Sequence, residues 1–452
     1  MLEGLHVKKS PKVLVSLSIA ILMLLSLIQI PDRTYAKDSL NINADAAIVV
    51  EASTGKILYA KNEDTALGIA SMTKMMTEYL MFEAIKEKKI TWDQEQIISE
   101  YVHQVSKDTA LSNVGLEVGK PYTIRELYEA LAIYSANGAT IAIAEAIAGS
   151  ETKFVKMMNE KAKELGLDNY NFVNSTGLNN QSLNGQHPEG TGPEDESVMS
   201  ARSTAKLAAQ LMKDYPEVLE TSSVPTMKFR DLIGEMTNWN KMLPGLDYEY
   251  PGVDGLKTGT TDFAGRSFTG TAMRDGMRVI TVVMNAKDSD GNSSDKGRFG
   301  ETKKLMDYAF TNFSMKEIFP KGYEIKGHKS LPVTKGKEKS VKIHTDEPLK
   351  MLIKNGDEKS FKPVFTIDKK KMNKDGMLTA PLKKGEQIGT LGAVQEGNED
   401  FGFLEKDYTQ TVKVVTTEKV EKANWFVLMM RGVGSFFSDV WGSVTDMVKG
   451  WF

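Results

Sequence analysis

The chain has no cysteine. That excludes a disulfide framework, a thiol nucleophile and any thiolate metal site. Histidine is scarce as well. Only His6, His103, His187, His328 and His344 occur, and no two have metal-ligand spacing. No metal and no cofactor is therefore expected. Charge of neither sign dominates: 57 Lys and Arg stand against 60 Asp and Glu, a formal net charge of −3. Nucleic acid is not expected as a partner, because that footprint is basic. Chemistry in such a chain rests on Ser, Lys, Asn, carboxylates and backbone. What is present is length. At 452 residues, with 41% hydrophobic and 26% charged side chains, the chain reads as two or three globular domains.

The ends are distinctive. Lys8, Lys9 and Lys12 precede an apolar run over residues 13–30, then Pro31 and Thr34-Tyr35-Ala36. A basic head, an apolar core and small residues before a cut predict a secretory signal peptide over residues 1–36, cleaved after Ala36. The competing reading is an uncleaved anchor, since the run is near the lower limit for a membrane span. Either way the protein is expected to work outside the cytoplasm, where ATP and nicotinamide cofactors are scarce. At the other end, Val433, Phe436, Phe437, Val440, Trp441, Val444, Met447, Val448 and Trp451 recur in steps of three and four. That pattern predicts an amphipathic helix within residues 419–452, too short of apolar length to span a bilayer. Its Trp and Phe suit the interface of a lipid membrane, with Lys422, Arg431 and Lys449 adding positive charge. A last helix packed on the protein's own core is the alternative.

Between the ends, residues 46–50 and 56–59 read as paired strands. Ser71 opens a helix with Met72, Met75, Met76, Tyr79 and Leu80 on one stripe. Residues 127–147 read as buried helices interrupted at Ser135-Ala136-Asn137-Gly138. Further helices are expected at 154–165 and 204–214, and a long surface loop at 179–196. Residues 267–273 and 277–284 form strands around an Asp275-Gly276 hairpin turn, and residues 305–313 a closing helix. This order predicts an α+β domain over 37–316, its antiparallel sheet closed by both termini. Short alternating runs then predict a small all-β domain over 320–418, with no catalytic cluster.

Ser71-Met72-Thr73-Lys74 places a hydroxyl and an amine on one helical turn. Serine needs an adjacent base, and lysine is a base only when neutral. Burial and the positive end of the helix dipole both disfavour its ammonium. The same turn offers free backbone N–H groups to an oxyanion. Ser-x-x-Lys alone is weak, since it recurs at Ser53, Ser150, Ser203 and Ser293. Those at Ser53 and Ser293 lie in turns, and those at Ser150 and Ser203 read as solvated helix starts. Ser-x-Asn recurs too, at Ser39, Ser135 and Ser182. Lys257-Thr258-Gly259 occurs once, followed by Thr260. A lysine, a hydroxyl and a glycine on an edge strand suit a carboxylate clamp. Only one ordered set has its first member opening an apolar helix, its second breaking a buried helix pair and its third starting a sheet: Ser71, Ser135 and Lys257.

With these three motifs the chain resembles the serine-type D-alanyl-D-alanine carboxypeptidases, the low-molecular-mass penicillin-binding proteins. The resemblance spans nearly all of the chain after residue 36 and is strongest to the membrane-anchored vegetative enzyme type of Bacillus. It departs in the middle motif, where Ala136 replaces the commoner glycine and Gly138-Ala139 the usual acidic residue. The resemblance implies the penicillin-recognising serine enzyme fold and hydrolysis of peptidoglycan stem peptides ending in D-Ala-D-Ala, with β-lactams acylating the same serine. It assigns Ser71 as nucleophile, Lys74 as its base and Ser135 as proton relay toward the leaving amine. Asn137 would hold the acyl side chain's amide. Lys257, Thr258 and Arg298 would bind the terminal carboxylate beside Gly259, and the N–H groups of Ser71 and Thr260 would form the oxyanion hole. Taken alone, Arg298 reads equally as a surface cation at a helix start. A class A β-lactamase is a second reading, although no Glu-x-x-Leu-Asn segment is found. A penicillin sensor or wall scaffold without turnover is a third.

Overall fold

The first apolar run forms β1 (Ala46–Glu51) and the return strand forms β2 (Ile57–Lys61). Far along the chain, β3 (Val253–Thr261), β4 (Gly265–Arg274) and β5 (Met277–Met284) complete a five-stranded antiparallel sheet of order β3-β4-β5-β1-β2. The sheet is closed by both ends of the domain, as expected, with Ala46 opposite Met284 and Val50 opposite Ile280. Asp275 and Gly276, both at positive φ (48° and 79°), make the two-residue turn between β4 and β5. The computed structural model describes residues 40–230, 234–395, 401–405 and 408–430. The expected signal peptide and the stripe from Val433 to Trp451 lie outside the described residues.

Strand alternation assigns the two faces of the sheet. Phe268 packs edge-on against Phe299 at 5.4 Å, and a side chain at Gly270 would strike Phe268 and Met306. Phe299 and Met306 belong to α7 (Asp295–Asn312), which covers that face. Thr269 points the other way and comes within 3.2 Å of the Met72 sulfur. That second face carries α1 (Lys74–Lys86) and the helices around it: α2 (Glu100–Ser106), α3 (Ile124–Tyr134), α4 (Asn137–Ala148), α5 (Glu151–Glu164) and α6 (Ala201–Asp214). The closing helix α7 starts at Asp295, well before the expected 305. Its first half is Gly- and charge-rich and lacks an apolar period, but Ser294 caps it by accepting from Gly297 N at 3.1 Å.

The all-β domain differs from expectation at both borders. Its first strand, Phe313–Phe319, follows α7 directly and pairs with Leu349–Lys354, so the domain starts before residue 320. At the far end Val420 pairs with Leu382, and Ala423 N donates to the Lys335 carbonyl. Val420 and Ala423 are buried, so residues 419–423 belong to this domain and not to the terminal helix. A six-stranded sheet includes Phe361–Ile367, Gln387–Gln395 and Thr411–Thr416.

Residues 401–405, carried by the β domain between two of its strands, reach back to the catalytic sheet. Ile57 N donates to the Gly402 carbonyl (3.0 Å), and Leu404 N donates to Gly55 (2.8 Å). Leu404 is buried in the catalytic core, and Glu405 pairs with Lys206 of α6 at 2.8 Å. This strap pairs with residues 55–57 at the outer side of the start of β2. No helix among the described residues is long and apolar enough to cross a membrane.

Candidate active site

The Ser71 turn is a short 3-10 segment, Ala70–Thr73, that runs into α1. Two glycines let other backbone press against it. A side chain at Gly259 would lie 2.4 Å from the Ile69 carbonyl oxygen, so the glycine of Lys257-Thr258-Gly259 is what lets β3 lie on the Ser71 turn. Gly177 has φ +79°, and a side chain there would lie 1.8 Å from the Ala70 carbonyl oxygen. Gly177→Ala is therefore expected to displace the Ser71 turn and cut acylation by a labelled penicillin about 100-fold, the scale of an ångström-sized misplacement. A stopped-flow acylation rate for the folded variant checks this.

The structure buries Lys74 completely. Its Nζ lies 2.9 Å from Ser71 Oγ, 2.8 Å from Asn137 Oδ1 and 2.8 Å from the Thr176 carbonyl oxygen. The two carbonyl oxygens can only accept. A neutral amine has two N–H donors for them and one lone pair, left for the Ser71 hydroxyl proton. Burial drives the Lys74 ammonium well below the lysine range, and repulsion from Lys257 adds to it, while Glu78 and Glu151 act in the opposite sense.

Ser135 ends α3 in the left-handed region (φ 59°), and Asn137 begins α4. The chain break between two buried helices thus delivers both side chains. Ser135 Oγ is buried with no hydrogen-bond partner among the described residues. Asn137 turns its oxygen to Lys74 and donates its amide to Ser112 O at 3.0 Å. The departure at Gly138 has a packing reason: a side chain there would lie 2.6 Å from Ser106 Cβ on α2. Ala136 is fully buried beside it.

On β3, Lys257 pairs across with Thr269 and Thr258 with Phe268. Alternation therefore sends Lys257 and Gly259 to the Met72 face, and Thr258 and Thr260 to the α7 face. Arg298 sits there. Far from being a surface cation, it is buried, pairs with Asp295 at 2.7 Å and donates to Thr260 Oγ1 at 3.0 Å. β3 is an edge strand, open along its outer side for an extended peptide. Burial pushes the Lys257 ammonium down, with Glu78 opposing the shift and Arg298 adding to it. Glu78, one turn past Lys74 on α1, is buried near both lysines, and burial pushes its carboxyl up.

Sequence reasoning missed Glu78, Glu151 and the Asn174–Leu178 loop that supplies the Thr176 carbonyl. Glu78 stands four residues from Lys74, a helical spacing that could have flagged it. The loop contact is through backbone and leaves no residue signature. The other Ser-x-x-Lys serines serve structure. Ser150 caps α5, while buried Ser203 donates to the Asp168 carbonyl at 2.6 Å.

A family model described as D-alanyl-D-alanine carboxypeptidase matches residues 33–288, and one described as Penicillin-binding protein 5, C-terminal domain, matches residues 313–422. The D-alanyl-D-alanine carboxypeptidase DacF of Bacillus subtilis is 33% identical over 396 residues, covering 87% of this chain and 90% of that protein. The solved structure of a peptidoglycan synthesis regulatory factor (PBP3) from Streptococcus pneumoniae superposes with a TM-score of 0.70 at 38% identity, covering 84% of this chain and all of that one. Penicillin-binding protein 5 from Haemophilus influenzae gives a TM-score of 0.63 at 29% identity, over 84% of this chain and 98% of that one. Together with the Ser71–Lys74 geometry, these matches show that the chain belongs to the D-alanyl-D-alanine carboxypeptidase family of serine peptidases, and they do not favour the β-lactamase reading.

Proposed function

We propose that the enzyme removes the terminal D-alanine from peptidoglycan stem pentapeptides by two-step acyl transfer on Ser71. The observation that carries this is the buried Lys74 amine, held by two carbonyl acceptors with its third position toward Ser71 Oγ. Lys74 takes the hydroxyl proton as Ser71 attacks the penultimate D-Ala carbonyl. The backbone N–H groups of Ser71 and Thr260 receive the oxyanion. Ser135, with its unpartnered hydroxyl, passes a proton to the leaving amine. Asn137 keeps Lys74 aimed and meets the acyl side chain's amide. Lys257, Thr258 and Arg298 hold the terminal carboxylate at the edge of β3, where Gly259 leaves room for close approach. Water then releases the acyl group. A β-lactam presents a strained amide and a carboxylate in the same places and acylates the same serine.

The test is release of D-Ala from diacetyl-Lys-D-Ala-D-Ala, measured beside penicillin hydrolysis. Rapid D-Ala release with slow penicillin turnover is expected. Rapid penicillin turnover would favour a β-lactamase, and acylation without D-Ala release would favour a sensor.

The proposed location is the outer face of the cell membrane, reached through a cleaved signal peptide and held by the C-terminal amphipathic helix. Residues 425–430 are helical, and Trp425, Phe426, Met429 and Met430 are exposed, with Trp425 at 73%. Burying each such side chain in the interface is worth about 1.5–3 kcal/mol, so several together hold a protein without a span. Because residues 420–423 pair within the β domain, the informative truncation is after Asn424. That protein is expected to stay in the supernatant after membranes are pelleted and to keep nearly full activity on the soluble tripeptide. Persistent pelleting, or lost activity, would mean that the helix packs elsewhere.

A further inference from the structure

One buried carboxylate in the helical region has no part in the mechanism above. Glu151 is the first residue of α5, capped by Ser150, and only 5% of it is exposed. Its Oε1 accepts from Ser175 N at 2.8 Å and from Ser175 Oγ at 2.6 Å. Its Oε2 accepts from the Tyr101 hydroxyl at 2.8 Å. Burial pushes its carboxyl above the usual carboxylate range, while the hydrogen bonds from Ser175 and Tyr101 and the nearby Lys74 act the other way.

Ser175 adjoins Thr176, whose carbonyl accepts from Lys74 Nζ. The Ser175 carbonyl accepts from Thr77 Oγ1 at 2.8 Å, so the loop is also tied to α1 beside Lys74. The loop is closed by Asn174, whose Oδ1 accepts from the backbone of Thr176 (3.0 Å) and Gly177 (2.7 Å). Thr176 helps shape the loop, its Oγ1 accepting from Leu178 N at 3.1 Å. Glu151 fastens the shaped loop to α5, as Thr77 fastens it to α1.

We propose that Glu151 is a positioning residue for acyl transfer: its carboxylate grips Ser175 and thereby fixes the Thr176 carbonyl that aims the Lys74 amine at Ser71. This rests on reading Lys74 as the base. A full buried charge is an expensive way to pin a loop, because it must be stripped of water. A neutral side chain could make the same contacts to Ser175. The charge has a second effect that a neutral group lacks. It acts on Lys74 against the effects of burial and of Lys257, as Glu78 does from α1. Geometry and field are thus set by one side chain, and they can be separated by mutation.

The experiment compares Glu151→Gln, Glu151→Asp and Glu151→Ala in the full-length protein. It measures kcat and KM for diacetyl-Lys-D-Ala-D-Ala, the rate of acylation by a fluorescent penicillin, the pH dependence of both, and the thermal midpoint. Glu151→Ala should lose about 100-fold in kcat and acylation rate with KM little changed, the cost of a misaimed base. Glu151→Gln keeps an oxygen for Ser175 but loses the charge that raises the Lys74 pKa. Its rising pH limb should therefore move to lower pH. Glu151→Asp keeps the charge, so its limb should stay in place while its rate lies between native and alanine. A Glu151→Gln profile that superimposes on the native one, or a Glu151→Ala protein that loses only thermal stability, would overturn the proposal. Lys74→Arg run in parallel separates the two ideas. If that variant stays active, the base assignment is wrong; if it is dead while the Glu151→Gln profile is unmoved, only the role of Glu151 is wrong.

Discussion

Ser71→Ala should abolish both D-Ala release and covalent labelling by fluorescent penicillin, with a fall of about 10⁶-fold, the scale on which loss of an activated serine is felt. Among the described residues, Ser71 alone lies within hydrogen-bond distance of a fully buried lysine amine. Ser203→Ala should still label, because that hydroxyl is spent on the Asp168 backbone. Gel fluorescence after incubation with the penicillin, alongside a D-Ala assay, checks both variants. Labelling that survives in Ser71→Ala would overturn the nucleophile assignment.

Lys74→Arg should be nearly as damaging, by about 10³–10⁴-fold, although charge and length are kept. A guanidinium cannot give up its proton near neutrality. It also cannot fit a site shaped for two N–H donors and a lone pair. The same assignment fixes the pH profile. Lys74 acts when deprotonated, and burial lowers its pKa, so the rate rises with pH through a value well below the unperturbed ~10.4. Lys257 must keep its proton to meet the substrate carboxylate. Burial pushes its ammonium down to about 8, so activity falls again as pH climbs through that region. The two limbs belong to the coupled lysines rather than to either alone. A kcat/KM profile for the tripeptide that shows no ionisation below about pH 9.5 would defeat this account.

The sheet, the Asp275-Gly276 turn and the helix break at Ser135 were legible because each has a local chemical cause: alternation, a turn that needs positive φ, and polar residues between apolar helices. So was the ordered set Ser71, Ser135 and Lys257. The start of α7 was not, since Lys296-Gly297-Arg298 has no apolar period and its burial comes from tertiary packing. The borders of the β domain were missed because Phe313–Phe319 and Val420 take their partners from distant strands. Arg298 was ambiguous because residue type says nothing about the Asp295 and Thr260 contacts that bury it. The grip of Glu151 on Ser175 was invisible for the same reason: it joins side chain to backbone across a fold that sequence order does not reveal.

The strap of residues 401–405 bears on how the protein can be dissected. An unpaired outer strand is a ready template for another chain, and natural proteins cover it or charge it. Here the cover for the start of β2 comes from the β domain, through the Gly402 and Leu404 backbone. A catalytic fragment ended after α7 keeps every side chain of the active site but bares that edge, together with the apolar groove that Leu404 fills. Such a fragment would invite self-pairing between copies, whereas protein ended after Asn424 retains its own cover. The β domain thus supplies part of the catalytic sheet's own edge protection, and a chain divided at the apparent domain junction is expected to be less soluble than one ended after Asn424.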